Sequence, residues 1–267
     1  MTQFDDEVQA RIAAIGADRP LRAAASAFMR ASTVPKYSYN FSSLGRPIIQ
    51  YPQDIVAMQE LIWSVRPDLI IEAGIAHGGS LILSAASLAM IDYCEAVERG
   101  EPLDPKASRR RVLGLDIDIR AHNRRAIEAH PLAHKIEMIE GSSIDAQVID
   151  KVHRMANGFQ RIMVILDSNH THEHVLAELE AYAPLTSKGS YCVVFDTIVE
   201  DLPGDYYPDR PWGPGNNPKT AVWEYLHRLR ENEIVATDGS RLTLEIDRHI
   251  EDKLLITVAP DGYLRRV

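Results

Sequence analysis

Apolar residues along this chain fall into two alternating patterns, one with a helical period and one of short continuous runs. From Asp5 to Ala31 the chain is rich in Ala and Arg, with apolar positions at helical spacing, which predicts one or two short helices. Gln53 to Ser64 places Ile55, Met58, Leu61 and Ile62 on one stripe, and Pro67 closes that helix. Continuous runs then follow at Leu69–Glu72, Val112–Asp116, Lys135–Ile139, Arg161–Asp167 and Tyr191–Asp196, with helical patterns between several of them. Strands that are apolar throughout and alternate with helices are buried on both faces, so they form a parallel sheet with helices on either side. Glu233–Thr237 and Lys253–Val258 read as two further strands, the last followed by the turn Pro260-Asp261-Gly262 that suits a sheet edge. The expected fold is therefore α/β: a Rossmann-like, doubly wound, mostly parallel seven-stranded sheet with an antiparallel edge strand, plus an N-terminal helical cap.

Three segments lack either period. Lys36–Ser42 is aromatic and polar and reads as a loop or cap. Glu98–Arg110, charged and holding Pro102 and Pro105, and Leu202–Pro218, rich in proline and carrying Tyr206, Tyr207 and Trp212, read as insertions. A loop as long as the second, inside a compact unit, has the character of a lid or binding loop.

With 267 residues and 45% apolar content, the chain can fill one extended core. Its net charge of −9 argues against a general grip on nucleic acid or anionic lipid, both of which need a positive field. Cys94 and Cys192 are far apart and form no CxxC pair, so neither a disulfide framework nor a thiolate zinc site is indicated. No leader opens the chain and no apolar stretch reaches the roughly 18 residues of a membrane span, so a cytoplasmic location is the expectation.

The chemistry concentrates at Leu69-Ile70-Ile71-Glu72-Ala73-Gly74-Ile75-Ala76-His77-Gly78-Gly79-Ser80, a buried strand entering a glycine turn and then a helix. In open α/β sheets this is where ligands lie over the strand ends. The spacing is GxxxGG, so the dinucleotide fingerprint GxGxxG fails, and no Gly-Lys-Ser/Thr closes a phosphate loop. Glu72, two positions before Gly74, is placed to accept from an amine and would repel a phosphate. That suits S-adenosylmethionine, whose amino group and sulfonium are cationic, with Gly74, His77, Gly78 and Ser80 lining the turn. The same glycines could instead serve only a tight strand-to-helix turn.

Asp116 ends the next strand, where ribose hydroxyls are held in nucleoside-binding sheets. Ser142 and Ser143 end the third strand with small groups that could border an adenine. Asp167 and Asp196 emerge at the ends of the fourth and fifth strands, on the same edge. Two ionised acids brought together repel unless a cation lies between them, and hard oxygen ligands select Mg²⁺ or a similar ion. Such an ion could lower the pKa of a substrate hydroxyl. His170 is within local reach as a general base beside Asp167. The run His170-Thr171-His172-Glu173-His174 invites a zinc reading, but the spacing lacks the aspartate of the HxHxDH pattern, and His172 and His174 read as first-turn helix residues.

Together, Tyr39–Ser42, Gly45–Gln50, Pro52–Asp54, Glu72–Ser80, Leu166–His174 and Asp196-Thr197 resemble the cephalosporin hydroxylase family, which is similar to class I S-adenosylmethionine-dependent sugar and macrolide O-methyltransferases. The likeness covers roughly residues 36 to 230. It implies S-adenosylmethionine and a divalent ion as cofactors and often an oligomer. Residue by residue, it carries the cofactor loop to Glu72, Gly74 and Gly78, the ribose acid to Asp116, and two metal ligands to Asp167 and Asp196. One departure stands out: the family pattern at the fifth strand is Glu-Asp-Thr, whereas this chain has Phe195-Asp196-Thr197.

The expectation is thus an O-methyltransferase acting on a hydroxyl of a sugar or glycosylated small molecule, with residues 1–50 as a helical arm, 51–267 as the methyltransferase-like domain and 202–218 as its lid. Nucleic acid and membrane are not expected partners; a homo-oligomer is. Two alternatives are a hydroxylase component, as the family name suggests, and a non-catalytic cofactor-binding subunit, for which Phe195 is the best argument.

Overall fold

The computed structural model describes residues 2–267. Two helices open it, α1 (Gln3–Ala17) and α2 (Arg19–Thr33). Asp18 ends the first and caps the second by accepting from the Leu21 amide at 3.0 Å. Lys36–Ser42, expected to be a loop or cap, holds a single 3₁₀ turn over Tyr37–Asn40 and enters a hairpin of β1 (Phe41–Ser43) and β2 (Arg46–Ile48). Leu44 and Gly45, both with positive φ, make its two-residue turn. The residues between are too few and too polar for their strand period to stand out from sequence.

After α3 (Pro52–Val65) the alternation begins: β3 (Leu69–Ala73), α4 (Gly79–Arg99), β4 (Arg111–Asp116), α5 (Ala121–Glu128), β5 (Ile136–Glu140), α6 (Ala146–Ala156), β6 (Ile162–Leu166), α7 (His172–Tyr182), β7 (Tyr191–Val194) and α8 (Pro218–Glu231). The last elements are β8 (Leu244–Ile246), α9 (Arg248–Leu254) and β9 (Tyr263–Arg266). The seven-stranded sheet runs β5-β4-β3-β6-β7-β9-β8; its first five strands are parallel, and β9 pairs antiparallel with both β7 and the edge strand β8.

Period-two alternation divides the side chains of the buried strands between two cores. Ile71, Ala73, Leu113, Val164, Leu166 and Val194 face α6, α7 and α8, whereas Ile70, Val112, Met163, Ile165 and Val193 face α3 and α4. Both faces being covered accounts for the continuous apolar runs. The long apolar helix α4 is such a core helix, with Leu81, Ile82, Leu88 and Ile91 buried.

The two expected C-terminal strands are displaced. Glu233–Thr237 contributes one isolated bridge, Val235 to Arg241, and the edge strand is Leu244–Ile246 instead. Lys253–Val258 is not a strand, because Asp247 caps a helix through the His249 and Ile250 amides and that helix runs to Leu254. The apolar run beyond it buries Val258 and Ala259 in the α3/α4 core, and the strand forms only after the Asp261-Gly262 turn. Apolar content marked buried chain there, not extended chain.

The order of strands reverses between β3 and β6, since β3 leads to β4 on one side while β6 lies on the other. The register brings Ala73 opposite Leu115 and Leu166, and Leu166 opposite Val194, so Gly74, Asp116, Asp167 and Asp196 emerge from neighbouring strand ends around this switch point.

Candidate active site

The glycine turn is held from three sides. Gly74 has φ +100°, and a Cβ there would lie 1.9 Å from the Asp167 carbonyl oxygen, so the turn passes hard against the end of β6. A Cβ on Gly79 would lie 2.2 Å from the Pro47 carbonyl oxygen, which puts the β2 strand directly over the start of α4. A Cβ on Gly78 (φ +82°) would meet the Ile127 side chain of α5. These glycines therefore serve close backbone packing as well as the turn itself. Arg46 donates to the His77 carbonyl through Nε (3.0 Å) and Nη2 (2.6 Å), and Nη2 also donates to Asn123 Oδ1 (3.0 Å). Asn123 Nδ2 in turn donates to the Ala76 carbonyl at 2.9 Å. His77 thus enters the turn through its backbone.

Asp116 faces the same turn. Its Oδ2 accepts from the Ile75 (2.9 Å) and Ala76 (3.2 Å) amides, and its Oδ1 from the Asp118 amide (3.1 Å). A ribose at this strand end would share these oxygens with the loop. Ile117 and Ile144, at the ends of β4 and β5, leave apolar side chains exposed beside it. Ser142 is half-buried there. Ser143 is turned inward: its hydroxyl donates to Glu178 Oε1 at 2.5 Å and lies 3.0 Å from His174 Nε2.

Behind the turn, a cavity is lined by Gln50, Asp54, Glu72, Ser80, Asp167 and Phe195, among others. Glu72 is 1% exposed and its Oε2 has no partner. Burial pushes its carboxyl up to about 7, opposed by the Ser80 hydroxyl. Asp167 is raised well above the usual carboxylate range by burial and then by the charges of Asp196, Glu72 and Glu178, opposed by the Gln50 amide that donates to its Oδ2 at 3.3 Å. Buried carboxyls gathered this closely disfavour one another's ionisation, and a cation among them would relieve that cost.

Asp167, His170 and Asp196 are, among the described residues, the one acid–histidine–cysteine group whose donor atoms all lie within 4.8 Å of one another. His170 Nε2 is 3.1 Å from Asp196 Oδ2, and the Trp212 ring meets the imidazole edge-on at 4.9 Å between centroids. Asp196 holds a left-handed backbone (φ 55°), an uncommon conformation for a non-glycine residue and one that aims its carboxylate back toward β6. Phe195 does not reach this group: it is 4% exposed and packs edge-on against Tyr263. His170 occupies the place of a third donor, a role that sequence reasoning gave only as a base. His172 and His174 are elsewhere: His172 Nε2 lies 2.9 Å from Glu224 Oε2 on α8, and His174 joins Ser143 and Glu178.

The loop 202–217 closes over this mouth. Glu200 accepts from the Gly215 amide (2.7 Å) and from Asn217 Nδ2 (2.5 Å), while Asn217 caps α8. Tyr207 is half-buried; burial first and the neighbouring Asp196 next push its hydroxyl up to about 12. Gln50, Asp54, Glu178 and the Arg46–Asn123 bracket were not singled out from sequence. Arg46, Gln50 and Asp54 belong to the quoted segments Gly45–Gln50 and Pro52–Asp54, but nothing in their spacing shows that they fold onto a turn far along the chain.

Known proteins share this chain's sequence and fold. The family described as Rhamnosyl O-methyltransferase/CmcI matches residues 35–267. Rhamnosyl O-methyltransferase of Mycobacterium bovis is 31% identical over 217 residues, covering 80% of this chain and 73% of that protein. The protein of the same name from Mycobacterium leprae is 29% identical over 163 residues, covering 60% and 62% respectively. Among solved structures, CmcI with Mg and SAM shares the fold at a TM-score of 0.50 and 19% identity, over 86% of this chain and 77% of that one.

Proposed function

The chain belongs to the rhamnosyl O-methyltransferase/CmcI family, and on that premise we propose that it transfers a methyl group from S-adenosylmethionine to a hydroxyl of a sugar or glycosylated small molecule, aided by a divalent ion. One observation carries the reading: at the sheet's switch point a buried carboxyl with one oxygen unpartnered, Glu72, adjoins the glycine turn, and a hard donor group lies one strand away. The residues fit both cofactors. A sulfonium nucleoside with a free ammonium supplies the positive charge that Glu72 lacks, whereas a pyrophosphate would meet Glu72, Asp116 and Asp167. The Arg46 guanidinium, which could have answered a phosphate, is engaged with His77 and Asn123. Two carboxylates suit a divalent cation, with the His170 imidazole left beside them.

Methyl transfer depends on alignment of the acceptor oxygen with the methyl carbon and sulfur. A divalent ion, when bound, supplies positive charge that favours an ionised acceptor hydroxyl. Asp167 and Asp196 would hold it, with His170 beside them. The 3.1 Å contact between His170 Nε2 and Asp196 Oδ2 orients the imidazole, and its other nitrogen, Nδ1, would take the acceptor's proton. Trp212 fixes the plane of that ring, and Tyr206, Tyr207 and Trp212 on the lid offer apolar faces to a sugar while excluding water.

We read residues 1–50 as a helical cap or arm whose end, the β1–β2 hairpin and Gln50, reaches the mouth, and the assembly as a homo-oligomer. Support for the latter is the apolar face that α3 and α4 leave exposed: Val56, Trp63, Met90, Tyr93 and Val97. Mass spectrometry of rhamnosylated acceptors incubated with S-adenosylmethionine and Mg²⁺ tests the activity. The expected product gains CH₂; a product gaining O would make the protein a hydroxylase component. Retention of the methyl donor without any product across such acceptors would make it a non-catalytic subunit.

A further inference from the structure

Gln50 lies outside the strand-and-turn motif, immediately before α3, yet it reaches the centre of the site. It is 7% exposed and lines both the cavity behind the glycine turn and the cleft in front of it. The segment that carries it is fixed on two sides. Tyr51, the next residue, shares a 2.7 Å hydroxyl contact with Ser32 of α2. Asp54, fully buried, accepts from the Thr257 hydroxyl (2.5 Å), the Val258 amide (3.0 Å) and the Tyr263 hydroxyl (2.8 Å). Gln50 is therefore held at a set position from both sides.

Its amide orientation follows from chemistry. Asp167 Oδ2, as a carboxylate oxygen, accepts, so the group 3.3 Å from it is the Nε2 donor. That leaves Oε1 as the second face of the amide, and this atom is buried without a partner. Two residues of the cavity lining thus each carry a buried acceptor without a partner, Gln50 Oε1 and Glu72 Oε2, the Ser80 hydroxyl being taken by the other Glu72 oxygen. A buried acceptor left unpaired is costly, and two facing one cavity call for a ligand with more than one N–H. An ammonium group has three and also neutralises Glu72.

Resting on the methyl-donor reading above, we propose that Gln50 completes the seat of the cofactor's α-ammonium, accepting from it through Oε1 opposite Glu72 while its Nε2 holds Asp167. The N-terminal arm then takes part in cofactor recognition directly, and one side chain joins the amino-acid end of the cofactor to the carboxylate at the reacting end. The arm's carbonyl at Pro47, pressed against Gly79, keeps that side chain seated over the turn.

The test compares binding of S-adenosylhomocysteine with that of its analogue lacking the α-amino group, by calorimetry, in the wild-type protein and in Gln50→Met. The wild type is expected to prefer the amino compound, and Gln50→Met to lose at least about tenfold of that preference while binding the deaminated analogue as before. Preference unchanged in Gln50→Met overturns the proposal. If the wild type binds neither compound, the methyl-donor reading itself has failed, a result distinct from retained preference. A second measurement needs no variant: in isotope-labelled wild-type protein the Gln50 side-chain amide resonance should move with S-adenosylhomocysteine and stay with the deaminated analogue. Equal responses to both would contradict the assignment.

Discussion

At Glu72, buried with one oxygen unpaired, the carboxyl is pushed up from its ordinary 4.5 to about 7. A raised pKa in the folded state means that the unliganded protein gives up stability as pH climbs from about 4.5 to about 7 and is level above that. Relative to Glu72→Gln, the wild type should therefore lose unfolding free energy across that window, which urea titrations at successive pH values would show; a flat difference would mean that Glu72 is ionised throughout. Cofactor binding runs the other way. The ammonium seeks the ionised form, so affinity for S-adenosylhomocysteine should rise with pH to about 7 and then level, and Glu72→Gln should remove that dependence. At the reacting end, His170→Ala should lower turnover by about 10²–10⁴ with cofactor affinity nearly unchanged. Asp167→Ala should abolish transfer while binding stays measurable; full turnover in either variant removes that residue from the chemistry. Glu72, Asp167 and Asp196 could be singled out in the sequence because each sits at the end of a continuous apolar run, and His170 because it follows Asp167 closely. Gln50 could not, since its role depends on an arm that folds across the sheet.

Among the elements, β3, β4, β6 and β7 were legible because burial on both faces demands unbroken apolar runs, and the edge strand β5 by its alternating Ile and Met positions. The hairpin at Phe41–Ile48 and the last strands were not, being short, half-exposed and set by caps and turns more than by period. Asp247 turned an apolar run into helix and buried loop. The hairpin's contact with α4 can be tested through glycine. Gly79→Ala would place a methyl 2.2 Å from the Pro47 carbonyl oxygen and should push the arm away, weakening cofactor binding. Gly158→Ala is the control: φ is +92° but nothing lies within 4 Å, so it should cost about 1 kcal/mol of stability and leave binding unchanged. Equal effects of both on affinity would show that the arm is not part of the site.

For the whole molecule, the order of strands decides where chemistry can occur. Reversal between β3 and β6 opens one mouth, and the register sends Asp116, Gly74, Asp167 and Asp196 to it from four neighbouring strands. Alternating helices and strands were enough to expect that arrangement. How the arm and the 202–217 loop close it was not, because both are irregular chain whose course is fixed by contacts such as Arg46 to His77 and Glu200 to Gly215. The exposed apolar face of α3 and α4 predicts a solution mass of at least twice the 29.9 kDa protomer by sedimentation, and a monomer would leave that face without an explanation. Most directly, the account stands on what the mouth retains. Calorimetric titration of the unliganded protein at pH 8 should give saturable, one-to-one binding of S-adenosylhomocysteine and no heat from NAD or ATP. Binding of either nucleotide in its place, with S-adenosylhomocysteine rejected, would contradict it.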